Sequence, residues 1–170
     1  MTSAVLMAGI AGMSSSLEAA KASNPVAKLL VDARASSSQV AADWKAYARQ
    51  PNLNWSGDGP EIARMKDDIG VAVKTVTMLL DLRAQGSSSQ IDTIDQVVPV
   101  MEELVDNAKD AITYLNANQS RLTTKECREN LEANSDTSNR LAGLIAELVE
   151  LGSGRDKFEA AKRTLELSLR

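Results

Sequence analysis

The sequence predicts an all-α protein: an up-down antiparallel bundle of four long helices, joined by a short apolar N-terminal helix and a short C-terminal helix. Three observations carry this prediction. Apolar residues recur in alternating steps of three and four almost from end to end, the period that holds one helix face against a partner. Pro, Gly and Ser divide that pattern into segments whose ends carry start and stop chemistry. Neither strand-like alternation, nor a nucleotide-binding glycine pattern, nor an internal repeat interrupts it. At 170 residues with a hydrophobic fraction of 44%, the chain is long enough to bury roughly 70% of its unfolded surface in one core. It divides into an apolar N-terminal helical segment, residues 1–24, and a helical bundle, residues 25–170.

The first segment, from about Ser3 to Ala22, holds a wholly uncharged run from Ala4 to Met13. That run is too short for a bilayer, which needs about 20 apolar residues, and no positive charge precedes it as in a secretory signal. A helix packed on its own bundle or on a partner is expected, with Ala8, Gly9, Ala11 and Gly12 allowing close backbone approach. Asn24 and Pro25 read as N-cap and first helical residue, or else as a kink in one longer helix. The second segment has the seam Val26, Leu30, Ala33, Ser37, Val40, Trp44 and Tyr47, and Pro51 ends it. A turn-rich loop follows to Gly59. Gly59 and Pro60 start the third helix, with Ile62, Met65, Ile69, Ala72, Val76 and Leu79 inward and Gly86 as its stop.

Ser89 and Asp92 have capping spacing for the fourth helix. Its seam is Ile91, Ile94, Val98, Met101, Val105, Ala108, Ile112 and Leu115, and Pro99 within it predicts a kink rather than a break. Thr123 and Glu126 match a capping box for the fifth helix, which presents Cys127, Leu131, Asn134, Ser138, Leu141, Ile145 and Leu148. Gly152 reads as its stop. Ser153 to Asp156 then restart a short last helix with Phe158, Ala161, Leu165 and Leu169 inward. Segments two to five are each roughly 40 Å long at 1.5 Å per residue, and matched lengths with short links imply antiparallel neighbours.

The composition argues against most chemistry. With no histidine, the Glu-x-x-His pairs of bundle metal sites and the commonest base of nucleophilic triads are missing, so no metal, no cofactor and no enzymatic activity are expected. A net charge of -4, with 19 Lys and Arg against 23 Asp and Glu, opposes nucleic-acid binding, and no basic run offsets it. The pairs Asp67 with Asp68 and Glu102 with Glu103 read as solvated faces, because adjacent helical residues diverge. Cys127, the lone cysteine, reads as a reduced core thiol, although Lys125 and Arg128 stand near it. Asn134 and Ser138 form a polar layer on an apolar stripe, a device that sets helix register.

The loop Asn52-Leu53-Asn54-Trp55-Ser56-Gly57 contains Trp-x-Gly between two helices, which resembles the signature turn of the small exported WXG helical-hairpin proteins. The resemblance covers three residues, and the chain departs from that single-hairpin pattern by continuing through further long helices. The glycine-bearing apolar N-terminus ahead of a bundle also resembles HeLo-type membrane-perturbing domains, which are richer in aromatics. No functional residue follows from either. The sequence therefore points to a non-enzymatic, acidic helical-bundle protein working through protein-protein interaction or self-assembly, with a protein partner or a homo-oligomer and no nucleic acid. Lipid binding or membrane perturbation through residues 4–13 is the alternative. Candidate contact residues are Val5, Leu6, Gly9, Ile10, Gly12 and Met13 in the apolar run, and Trp44, Tyr47, Leu53 and Trp55 at one bundle end, where aromatics would serve as anchors. A cytoplasmic protein, or one exported without a classical signal peptide, fits this composition.

Overall fold

The computed structural model describes residues 24–169. They form four α-helices: α1 (Pro25–Ala48), α2 (Trp55–Leu82), α3 (Ser88–Ala117) and α4 (Lys125–Ser168), with a 3-10 turn at Arg83–Gln85. The all-α helical bundle expected from the periodicity holds, with no strand among the described residues. The helix expected over residues 3–22 lies outside them. α4 packs against α1 and α3, α1 packs against α2, α2 against α3, and α1 meets α3 across the interior.

Each helix start has an identifiable cause, and three of the four differ from the sequence expectation. Asn24 is non-helical, and its Oδ1 accepts from the amides of Val26 (3.0 Å) and Ala27 (3.4 Å), so α1 begins at Pro25 as a capped helix. α2 begins at Trp55, ahead of the expected Gly59 and Pro60. The Asn54 carbonyl accepts from Gly57 (3.0 Å) and Asp58 (2.8 Å) while the Asp58 carboxylate accepts from the Asn54 amide (2.8 Å). Pro60 therefore lies inside the helix as its sixth residue, past the unpartnered amides of the first turn, so α2 forgoes one backbone bond there.

For α3 the cap is Ser87, two residues before the expected Ser89. Ser87 Oγ accepts from the Gln90 amide (3.2 Å) and Gln90 Oε1 accepts from the Ser87 amide (3.0 Å), a reciprocal box that Asp92 does not complete. α3 then runs through Pro99 to Ala117. The α4 cap is Thr124 rather than Thr123. Its hydroxyl accepts from the Cys127 amide (3.3 Å), and Glu126 is turned instead toward Arg121 (3.1 Å).

The largest correction concerns Gly152, which does not end its helix. α4 spans 44 residues without interruption, so the separate short C-terminal helix does not exist. Gly152 is instead a contact residue: a Cβ there would lie 2.1 Å from Thr93 Oγ1 and 3.0 Å from Thr93 Cβ. The expected inward row Phe158, Leu165 and Leu169 is also overturned, since these side chains are 68%, 61% and 78% exposed.

The core follows the sequence seams closely and is wider than they are. Trp44, Tyr47, Met65, Leu79, Ile94, Met101, Leu131 and Ile145 are fully buried, each worth about 1.5–3 kcal/mol in removed apolar surface. Leu29, Val97, Leu104 and Ala111, off the seams, are buried too. The polar layer at Ser138 is satisfied across the helix pair. Asn107 Nδ2 on α3 donates to Ser138 Oγ (3.0 Å) and to the Asn134 carbonyl (3.2 Å) on α4, so a buried hydroxyl pins the register of two helices at no unpaired cost.

Candidate interaction surface

At the Trp44 end, the residues expected to offer contacts form the interior. Trp44, Tyr47 and Leu53 retain 1%, 0% and 4% of their exposure. Trp44 and Tyr47 meet edge to face with centroids 6.4 Å apart, a favoured aromatic geometry. The Tyr47 hydroxyl donates to Asp58 Oδ2 (3.2 Å), and burial, followed by the Asp58 charge, pushes the phenol well above its usual range. Arg128 ties α4 to the loop by donating to the carbonyls of Gln50 (3.1 Å) and Pro51 (2.6 Å). Trp55 is the first residue of α2, so the Trp-Ser-Gly triplet belongs to a helical turn rather than to a loop. Val5, Leu6, Gly9, Ile10, Gly12 and Met13 lie outside the described residues.

A second cluster joins α1 to α2 at Asp43. Its Oδ1 accepts from Arg64 Nη1 (2.6 Å) and Gln39 Nε2 (3.0 Å), while the buried Oδ2 has no donor among the described nitrogen and hydroxyl groups. Asp68 stands 3.8 Å from Arg64. Hydrogen bonding to Asp43, then burial and the Asp43 charge, push the Asp68 carboxyl above its ordinary value. Protonated, Asp68 would offer the donor that Asp43 Oδ2 lacks. The sequence puts Asp67 and Asp68 together on a solvated face; Asp67 is exposed, but Asp68 is half-buried and turned toward α1. Because the Arg64–Asp43 bond joins α2 to α1, with Gln39 and Asp68 supporting it from their own helices, the cluster acts as an interhelical clasp.

Cys127 is buried, and desolvation pushes its thiol up, against the pull of Arg128. That is the reverse of what a nucleophilic thiolate requires. Among the described residues, no group of three or more Cys, Asp or Glu side chains is placed to hold a metal ion, and no helix is long and apolar enough to cross a membrane.

The outer face of α4 carries the feature that sequence reasoning placed inside. Leu144, Leu151, Phe158 and Leu165 recur every seven residues and are 42%, 61%, 68% and 61% exposed, with Leu169 continuing the row. The core-facing residues of the same helix are Cys127, Leu131, Ser138, Leu141, Ile145, Val149 and Gly152, and nothing beyond Gly152 is buried. At 100° per residue the two rows lie on nearly opposite sides of α4. Past Gly152, the core-facing phase is taken over by Asp156, Glu159 and Arg163. The Asp156 carboxylate accepts from the Ser87 hydroxyl at 2.6 Å and from that of Ser89. The last four turns of α4 are thus anchored at their base by polar bonds and apolar on the outside. Leu151 and Phe158 line a surface groove of about 870 Å³, walled by Ser88, Ser89 and Asp92 of α3 and by Arg155. A smaller apolar patch, Val73 and Leu80 on α2, is 39% and 50% exposed.

No protein-family description, curated protein or solved structure matches this chain. Its function is therefore argued from its own surface.

Proposed function

We propose that this chain is a non-enzymatic bundle whose four helices run up and down as antiparallel neighbours, and that it works through protein-protein contact, self-assembly above all. The observation that carries the reading is the heptad row on the outer face of α4. Large apolar side chains repeated every seven residues on a helix, with the core on its other side, are the pattern of a seam lacking its second helix. The up-down order is supported by pairs of contacts: Thr93 meets Gly152 while Asn107 meets Ser138, so the sequence numbers of α3 rise as those of α4 fall. Tyr47 to Asp58 and Asp43 to Arg64 give α1 and α2 the same relation. The non-enzymatic reading is supported by the burial of Asp43 and of the Cys127 thiol.

Sedimentation velocity of the full chain over a hundredfold concentration range tests the reading. A dimer or larger species that dissociates on dilution is expected. A monomer at every concentration that also binds no protein would refute it.

A further inference from the structure

We propose that the partner on this face is a second copy of the chain, and that the two α4 ends pair antiparallel through Leu151, Phe158 and Leu165. The inference rests on the self-assembly reading above and supplies its geometry.

Three observations select the occupant. The first is steric: three residues after each large member of the row stands a small one, Gly154 after Leu151, Ala161 after Phe158 and Ser168 after Leu165. In an antiparallel pair these two sets face each other. Leu151 then meets the partner's Ser168, Phe158 meets the partner's Ala161, and Leu165 meets the partner's Gly154, each layer filling a hole with a knob. A parallel pair would instead set Phe158 on its own copy and oppose glycine to glycine, leaving a void. Space is open where a Cβ of Gly154 would stand, so nothing among the described residues calls for a glycine there.

The second observation is placement. The row faces away from the core and continues past Gly152, where, among the described residues, only the start of α3 (Ser88, Ser89 and Asp92) flanks it. An antiparallel partner therefore approaches along the open side of that groove, and its own bundle lies beyond Ser168. The third is area. At roughly 100 Å² for each of the three large exposed side chains on each copy, the row buries about 600 Å² before the small residues between them are counted, the size of a weak and transient interface. A weak, concentration-dependent dimer is the expected outcome.

The test uses the full chain. Phe158→Glu should raise the dimer dissociation constant by about 100-fold, as for loss of a central aromatic anchor. The circular-dichroism melt should be unchanged, because the side chain is 68% exposed in one copy. Orientation is read by mixing Gly154→Cys copies with Leu165→Cys copies under mild oxidation. An interchain disulfide should form in the mixture and in neither variant alone, and the buried Cys127 does not compete. Cross-linking of Gly154→Cys with itself would overturn the antiparallel pairing. A dimer that survives Phe158→Glu would overturn this surface and leave self-assembly standing, whereas a monomeric wild type would remove both. Hydrogen-exchange protection of residues 151–168 in such a monomer would assign the row to the chain's own residues 1–23.

Discussion

Replacing Gly152 by alanine tests whether α3 and α4 cross as closely as the structure places them. The new Cβ would lie 2.1 Å from Thr93 Oγ1, 2.9 Å from Cγ2 and 3.0 Å from Cβ. Rotating the threonine relieves little, because its Cβ does not move with χ1 and its hydroxyl already donates to the Ser89 carbonyl (2.7 Å). The helices must separate, or that bond must break. Overpacking of this kind costs about 1–3 kcal/mol, and the lost hydrogen bond adds about 1 kcal/mol. Against this stands about 1 kcal/mol gained by alanine over glycine within a helix. The net expectation is a destabilisation of about 1–3 kcal/mol. Gly70 and Gly143 serve as controls, since both are helical with no atom within 4 Å of the built Cβ; alanine there should stabilise by roughly 0.5–1 kcal/mol. Urea unfolding followed by circular dichroism measures all three, with a lowered midpoint and unchanged slope expected for Gly152→Ala. Adding Thr93→Ala, which removes the two nearest contacts, should restore most of the loss. If Gly152→Ala stabilises as the controls do, the close crossing is wrong.

Three further outcomes follow from the packing and the charges. Ile94→Ala and Leu141→Ala, at side chains 0% and 4% exposed, should each cost about 2–5 kcal/mol in urea unfolding, whereas the exposed Asp67→Ala should cost little; equal losses would mean the helix phase is wrong. Asp68 has a raised folded-state pKa, so its protonated form is favoured by folding. Its contribution is present below the unfolded value of 3.8 and is lost as pH rises through the folded one. Asp68→Asn, which keeps a donor for Asp43 Oδ2 at every pH, should therefore raise the melting temperature at pH 7 relative to wild type and narrow that advantage toward pH 3; a constant difference across pH would refute the shared proton. Finally, Cys127 should react with iodoacetamide at pH 8 far more slowly in the native protein than in urea, as read by mass spectrometry, and equal rates would contradict its burial.

The core was legible because burial on a helix leaves a period, and Ile94, Met101, Leu131 and Ile145 are where that period puts them. The Asn24 cap was legible to the residue, whereas the other three helix starts were legible only to within one to four residues. Ser87, Ser88 and Ser89 can each cap, and the choice falls to the one whose third neighbour, Gln90, can return the bond. Two readings failed for a shared reason. Glycine ends helices and also permits close helix contact, and nothing local to Gly152 distinguishes these roles, because the deciding atom belongs to Thr93, 59 positions earlier. Likewise Trp44, Tyr47 and Leu53 carry the residue types of a contact site, but the Arg128 clasp that fixes the loop at that end comes from α4, 77 and 78 positions further along the chain.

The outer face of α4 shows what a periodicity argument does and does not contain. Phe158, Leu165 and Leu169 have a helical spacing, from which an inward face is the natural deduction. Spacing alone specifies only that these side chains share a face; which way the face points depends on its phase relative to the segment before it. With Gly152 taken as a break, that phase is free and the row can be turned inward. With α4 continuous, each residue adds a fixed 100°, so the orientation of Ile145 and Val149 toward the core obliges Leu151 and Phe158 to face away from it. The same continuity brings Asp156 round to Ser87 and Ser89, which is why polar residues occupy the inner phase of the projecting turns. One helical rotation thus accounts for both the half-buried polar anchor and the exposed apolar row. A helix so built makes its contacts to the described bundle through its inner phase alone, and the outer row takes no part in that packing.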